Sequence, residues 1–422
     1  MQSRLALFFS RLRQRLWVKP LGYCLLAVAA VFLARGADLL GPIDRLPHID
    51  PDTIETLLSI ISSTMLAVAT FAVGSMVAAY ASASSNATPR AFELILADDL
   101  SQTALSSFIG AFIFSIVATI AVKTGLYDDT GHFALFLLTL AVFAWVIATF
   151  VRWVDNIARL GRMTSTIDRA EEAARKCLGD YRDKPRLGGR DAADAPDGPS
   201  HEVFGEKIGY VQLVAVKALQ EAAEKAGVQI VVAAMPGTFL TPEKPMARII
   251  GPRGDMSDDL EKRLRRAFVI GNERTFEADP RFGLIVLSEI AQRALSPGVN
   301  DPGTAIVIVG RLVRLFAFWL SPRDGEADFE PCDRVFVPGL DMADLFDDAF
   351  TGIARDGADN IELGIRLQKG FQAIAALGNA AARSEAQRHA DLALTRAETA
   401  ITLDADLDRL RAAARKVAQA GT

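Results

Sequence analysis

The side chains that could do chemistry in this chain are few and widely spread. Asp341, Asp344, Asp347 and Asp348 bring carboxylates together in a helix-favouring stretch. Two such groups can divide acid and base roles when burial sets their pKa values apart, but a charge run at helical spacing is by default a solvated helix face. Gly251-Pro252-Arg253-Gly254-Asp255 is glycine-rich, yet it lacks the spacing and the lysine of a phosphate-binding loop. His48, His132, His201 and His389 never approach another His or Cys at zinc-ligand spacing. Cys24, Cys177 and Cys332 form an odd, scattered set, not a disulfide framework. In a cytoplasmic domain Cys177 and Cys332 are expected as reduced thiols. A nucleophile elbow and a dinucleotide fingerprint are also missing. The expectation is a protein that is not an enzyme, with no catalytic residue, cofactor or metal.

One polar segment stands out, Arg293-Ala294-Leu295-Ser296-Pro297-Gly298-Val299-Asn300-Asp301-Pro302-Gly303-Thr304-Ala305. Gly298 suits a turn, Asp301 is a good N-cap and Pro302 a good first helical residue, so a capped helix-turn-helix accounts for it. The functional alternative is that Ser296, Asn300, Asp301 and the helix start face a polar ligand or a neighbouring subunit. Asn272-Glu273-Arg274-Thr275 would then supply Arg274 to the same place.

Positioning these groups falls to two dissimilar parts of the chain. Half of the residues are hydrophobic and they crowd into the first third. A bilayer core takes about 20 apolar residues of helix. Residues 54–81, 103–122 and 133–151 meet that length with no charge after Glu55, and 17–35 is a shorter candidate between Lys19 and Arg35. A cleaved signal peptide is the alternative for the first run, with Arg11, Arg13 and Arg15 as its basic region. No clean cleavage site precedes the acidic stretch that follows, so a membrane anchor is the reading taken. Arg4, Arg11, Arg13, Arg15 and Lys19 precede the first span, and Arg152, Arg159 and Arg162 follow the fourth. Asp38, Asp44, Asp50 and Asp52 fill the first loop, so both termini are expected in the cytoplasm. The 82–101 connection, with Arg90 against Glu93, Asp98 and Asp99, adds little to that assignment.

Small residues recur every four positions in two spans. Thr70, Gly74, Ala78 and Ser82 mark one face of the second, and Ser107, Ala111, Ser115 and Thr119 one face of the third. Such stripes let helix backbones approach closely. The sharper alternative puts a stripe along the weakly polar lumen of an oligomer. Ionisable groups are missing inside these spans, which argues against a pump or proton-coupled carrier and leaves a passive channel with a hydrophobic gate open.

Beyond the fourth span, helix is expected to continue through Arg152, Asp155 and Arg159 toward Cys177. Residues 180–200 are rich in Pro and Gly and read as a linker or surface loop. Then come helix over 210–227, strand over 228–234, a turn at Pro236-Gly237, a short strand at 247–250 and helices over 258–270, 283–295 and 304–320. A strand is expected at 335–337 and helix from Met342 onward. The fold class is a four-span α-helical membrane bundle plus a cytoplasmic mixed α/β, helix-rich domain. Its divisions are a transmembrane part over 1–160, a helical extension and linker over 161–200, an α/β domain over 201–340 and a helical region over 341–422.

Several motifs together resemble a known family. They are Ala81-Ser82-Ala83-Ser84-Ser85-Asn86-Ala87-Thr88-Pro89-Arg90, Phe108-Ile109-Gly110-Ala111-Phe112, Glu273-Arg274-Thr275 and the Arg293 to Ala305 segment. In this order they are similar to the bacterial membrane-protein family called domain of unknown function 2254, from the first span to about Arg396. The resemblance implies a multi-span protein of the bacterial inner membrane and brings no catalytic residue, ligand or activity with it. Gly303 stands where the family usually has a bulkier, often aromatic residue, and Asn86 to Thr88 replace a more usual aromatic-containing version.

Three functions compete. An oligomeric channel with a cytoplasmic regulatory domain draws on the uncharged spans and small stripes, with Thr70, Gly74, Ala78, Ser107, Ala111 and Ser115 lining a pore or packing helices. A membrane-anchored sensor or scaffold binding a cytoplasmic partner would use the long C-terminal helices. A membrane-tethered enzyme has the least support. The expected partners are the lipid bilayer, further copies of the chain and ions or small solutes. The net charge of -5 gives nucleic-acid binding no support.

Overall fold

The computed structural model describes residues 17–40, 47, 49–86, 88–91, 99–159, 163–251, 258–322 and 330–420. Arg4, Arg11, Arg13, Arg15, Asp44, His48, Ala87, Glu93, Asp98, Arg162, residues 252–255 of the glycine-rich turn and the side chains of Ser82 to Asn86 lie outside the described residues. The chain divides into two compact units, Gln2–Thr166 and Ile167–Thr422.

The first unit contains the helices α1 (Val18–Gly36), α2 (Pro51–Asn86), α3 (Asp99–Lys123) and α4 (Asp129–Arg159). Each includes a stretch long and apolar enough to cross a bilayer, as does Pro302–Leu320 in the second unit. The two faces of α3 are both used. It packs against α1, α2 and α4, and 56% of its apolar stretch is buried, more than in any other candidate span. The two helices α1 and α3 approach closely at Gly110, where an added Cβ would lie 3.1 Å from Tyr23 Cβ.

Polar contacts pin the helix ends in an up-and-down order. Lys19 at the start of α1 reaches Asp99 at the start of α3 (2.7 Å), and Lys123 at the end of α3 reaches Glu55 at the start of α2 (2.8 Å). Asp38, just past α1, accepts the Gly131 amide at 2.6 Å. A carboxylate there satisfies one of the unpaired amides that open α4 and meets the positive end of its dipole. The Tyr127 hydroxyl donates to the Val31 carbonyl at 2.8 Å.

In the second unit come the helices α5 (Met163–Asp183), α6 (Val216–Ala226), α7 (Asp258–Ala267), α8 (Phe282–Leu295) and α9 (Pro302–Leu320). After them follow α10 (Met342–Phe346), a π-helical turn (Asp347–Thr351), α11 (Gly352–Asp356), α12 (Ile361–Leu377), α13 (Ala380–Ala400) and α14 (Asp404–Gln419). Its strands are β1 (Gly189–Asp191), β2 (Ser200–Phe204), β3 (Gly209–Val214), β4 (Gln229–Val232), β5 (Phe239–Leu240), β6 (Pro245–Ile250), β7 (Phe268–Gly271) and β8 (Cys332–Val337). Five form a mixed sheet in the order β1-β8-β4-β6-β2, parallel from β1 to β4 and antiparallel beyond, and three form an antiparallel sheet, β5-β3-β7. Leu219, Ile230, Ile249, Leu264 and Val335, all buried, join sheets and helices in one core. A second cluster stacks Phe316, Phe346, Phe350 and Phe371, with adjacent ring centres 4.7–6.4 Å apart.

Three local expectations need correction. Residues 210–214 are strand β3, and helix begins only at Val216. The alanine-rich α6 masks this locally, while pairing with β7 over 50 residues later supplies the strand's partner. Residues 268–270 likewise belong to β7, not to the end of α7. The expected linker over 180–200 includes the short strand β1. The predicted continuation beyond the fourth span is helix to Arg159 and again from Met163, and residues 160–162 between them lie outside the described residues.

Candidate functional site

The two small-residue stripes have opposite environments. On α3, Ser107, Ala111 and Ser115 are buried within the bundle. The Trp145 indole donates to the Ser107 hydroxyl at 3.1 Å, and the Ser115 hydroxyl donates to the Ala111 carbonyl at 2.8 Å. This stripe packs helices inside the bundle of the first unit.

On α2, Thr70, Gly74 and Ala78 are exposed, and a Cβ added at Gly74 would meet nothing within 4 Å. The same face extends well beyond these three. Thr56, Ser59, Ser63, Ala67, Thr70, Gly74, Ala78 and Ala81 follow one another at steps of three and four, and each is exposed. That spacing keeps one face aligned along a helix over about 37 Å. The face lies across the helix from the buried Ile54, Leu58, Ile61, Ala69, Ala72 and Met76. The hydroxyls of Thr56, Ser63 and Thr70 donate to carbonyls one turn back at 2.8–2.9 Å. Their backbone bonds are therefore complete without a partner, and small, weakly polar surface faces outward.

In the second unit the Ser296 to Asp301 segment folds as its residues suggest. Asp301 caps α9, with Oδ1 accepting the Thr304 amide at 3.1 Å and Oδ2 the Thr304 hydroxyl at 2.6 Å. These bonds, the hydroxyl first, hold the Asp301 carboxyl below its ordinary range. The left-handed residue is Asn300 (φ 49°), not Gly298. Its amide donates to the Ser296 carbonyl at 2.8 Å, and the Asp301 amide donates to the Ala294 carbonyl at 2.7 Å.

This loop forms one wall of a cleft of about 650 Å³, with Ser296, Asn300 and Pro302 on one side and Asp356, Asp359 and Asn360 on the other. The second wall was hidden in what reads as continuous C-terminal helix. The signal for it is Asp356-Gly357-Ala358-Asp359-Asn360, a glycine turn followed by an Asn that caps α12 by accepting the Leu363 amide at 2.8 Å.

Arg274 is engaged elsewhere. It grips Asp279 through two bonds of 2.6 and 3.0 Å, and its guanidinium lies over the Phe282 ring. Asp279 is almost wholly buried, so this bidentate pair is a structural tie. The Asp341 to Asp348 carboxylates are not a bare solvated face either. Asp341 caps α10, Arg281 binds Asp344 and Asp348, and Asp347 meets Arg388 and His389 at 3.0 and 3.1 Å. Burial raises the Asp348 carboxyl, and Arg281 opposes that shift. Burial also pushes the Cys177 thiol up to about 12, which removes thiolate reactivity at neutral pH. The three cysteines are all free thiols. Among the described residues no group of three or more His, Cys, Asp or Glu is arranged to hold a metal ion.

Residues 13–373 match a family model described as Predicted membrane protein (DUF2254). The chain is also similar to uncharacterized protein Rv1290c of Mycobacterium tuberculosis and to uncharacterized protein Mb1321c of Mycobacterium bovis. Each is 26% identical over 271 residues, 62% of this chain and 51% of the relative. The chain thus spans about half the length of these curated relatives. No solved structure matches it.

Proposed function

The chain belongs to the DUF2254 family of predicted membrane proteins, and from that premise we propose that it is a channel-like homo-oligomer of the bacterial inner membrane, joined or lined along α2. The outward small-residue face of α2 carries this reading. Lipid tails are as apolar as leucine, so a lipid-facing helix gains nothing from a continuous stripe of Ser, Thr, Gly and Ala. A neighbouring helix gains close backbone packing there, and water in a lumen gains the free lone pairs of the hydroxyls. With no ionisable group along the stripe, selectivity would rest on width and wall polarity, and gating on a hydrophobic constriction.

Four spans fit this reading better than five. Although α9 is long and apolar, its Arg311 and Arg314 bind Glu171 of α5 at 2.7–2.9 Å. Ala305, Ile308, Leu312 and Leu315 on it are buried by neighbours in the α/β unit. Two arginines at the middle of a span are costly in a bilayer, whereas a core helix accommodates them at its edge. With four spans and the basic clusters before α1 and after α4, both termini and the α/β unit fall on the cytoplasmic side.

The test is the protein mass of the purified full-length particle, by light scattering corrected for detergent, paired with cysteine cross-linking at Ser63→Cys. About four or more copies with efficient cross-linking are expected of a ring around a lumen, with solute flux in liposomes. A monomer without cross-links would remove both the seam and the pore.

A further inference from the structure

Helix α5 begins at Met163, four residues after α4 ends at Arg159. Its first turns present Asp168 and Glu171 to α9. Asp168 meets Arg311 at 2.6 Å, and Glu171 binds Arg311 and Arg314 with both of its oxygens at 2.7–2.9 Å. Those two carboxylates are matched by two guanidiniums. The cations beside them have no such match. Gly310 lies one turn before Arg314, and Arg366 of α12 is seated over it, with Nη2 2.8 Å from where a Cβ would stand. Lys369 follows Arg366 on the same face of α12. It is next to Gly370, where an added Cβ would lie 3.0 Å from Val313 of α9. Arg366 and Lys369 are both exposed, and neither has an ion pair among the described residues. Glu172 and Glu362 are exposed carboxylates on the same helices, and neither bonds to these cations among the described residues.

Like charges held side by side repel, and the chain as a whole has a net charge of -5. A local surplus of cations is therefore not a consequence of composition. Its complement is phosphate: arginine presents a planar fork that takes two phosphate oxygens at once. Phosphate could come from a lipid headgroup or from solution. The chain's own anchor favours lipid. It belongs to a family of predicted membrane proteins, and α4, directly before α5, includes a stretch long and apolar enough to cross a bilayer. A tethered surface meets the membrane at high effective concentration. Anionic lipid strengthens such a contact about fivefold for each Lys or Arg brought near it.

We propose that the strip formed by Arg314, Arg366 and Lys369 docks on anionic phospholipid headgroups of the membrane that anchors the chain. This rests on the preceding reading in one respect, that α9 is a core helix of the α/β unit and not a fifth span. It does not rest on the channel. Docking there makes the placement of α9 and α12 at the bilayer surface depend on lipid charge.

The test places the photoreactive residue benzoylphenylalanine at Val307, which is 47% exposed and shares the α9 face of Gly310 and Arg314. The full-length chain is reconstituted in nanodiscs of phosphatidylcholine, alone or mixed with phosphatidylglycerol, and lipid adducts are measured by mass spectrometry. Adducts are expected in the mixed discs. They should fall away in phosphatidylcholine alone and at about 1 M salt, where the Debye length is about 3 Å. Arg366→Glu combined with Lys369→Glu should lower the yield about tenfold or more. Both side chains are exposed, so the melting temperature should match the parent. If the double variant melts lower, Lys369→Glu alone carries the same comparison, with about a fivefold loss. Absence of lipid adducts in both discs would overturn the proposal, as would an unchanged yield in the charge-reversed chain. Loss of adducts to inorganic phosphate, but not to chloride at matched ionic strength, would assign the strip to a soluble anion and overturn lipid docking. Equal yields in both discs, insensitive to salt, would place α9 in hydrocarbon and overturn the four-span reading with it.

Discussion

Helices α2 and α3 carry small residues at the same four-residue spacing and put them to opposite uses. The α3 stripe is buried: Ser107, Ala111 and Ser115 are shielded by the other helices of the protomer, and the hydroxyls bond inside it. The α2 stripe faces away from all of them. The difference follows from order and position. As the central helix, α3 meets α1, α2 and α4 and must be slim on several sides. One side of α2 is committed to the bundle, with Ile54, Leu58 and Met76, and its opposite side is unconstrained by the protomer. Small side chains on that unconstrained face are the feature on which the proposed assembly rests.

The strongest way to break this comparison is to enlarge the two stripes in turn, beginning inside. Ala111→Leu adds three heavy atoms where the alanine is 4% exposed. Overpacking of that kind costs about 3 kcal/mol. The expected result is a lower melting temperature in detergent and poor recovery of monodisperse protein. Melting unchanged from the parent would mean that the bundle is loose around α3 and that the two stripes do not differ.

A smaller effect sharpens the contrast between the two units. The spans have uncharged interiors, but the α/β unit buries the ionisable His389 among Phe346, Phe371 and Asp347. Burial first, then Arg388, holds its imidazole down at about 4, below the 6.5 of an unperturbed histidine, while Asp347 and Glu385 pull the other way. The unfolded chain therefore takes up the proton first. The stability that the neutral ring contributes is fully present above about 6.5, falls as pH drops through that window and is lost by about 4. Inside that window the slope should be about 1.4 kcal/mol per pH unit. Denaturant midpoints of the parent between these pH values should fall more steeply than those of His389→Gln. Parallel curves would show that the ring is solvated or already protonated.

The parts legible from residue order were those specified locally. Uncharged runs of span length, the Asp301-Pro302 helix start and the turn at Pro236-Gly237 need only neighbours in sequence. Strand β3 was not legible, because Tyr210 to Val214 run into the alanine-rich α6 and their partners β5 and β7 come far later. The cleft was half legible: Ser296 and Asn300 stand out by composition, but Asp356 and Asp359 join them only through the packing of α8 against α11. Spacing marked both small-residue stripes and could not say which would face outward. That depends on which helix becomes central, a property of the whole bundle.

The last substitution has the least effect on the protomer and the most to say about the assembly. Gly74→Leu places its side chain where nothing lies within 4 Å. A glycine inside a helix costs about 1 kcal/mol relative to a good helix former, so the protomer should melt no lower than the parent and could melt slightly higher. At a seam of small residues the added isobutyl group instead separates two backbones that must nearly touch. The expected result is an intact, well-folded chain whose particle mass falls to that of smaller species, with flux lost in parallel. Ala111→Leu cannot make this distinction, because it damages the protomer before assembly begins. If Gly74→Leu retains the parent mass and flux, the outward face of α2 meets lipid, and the proposed assembly along α2 falls.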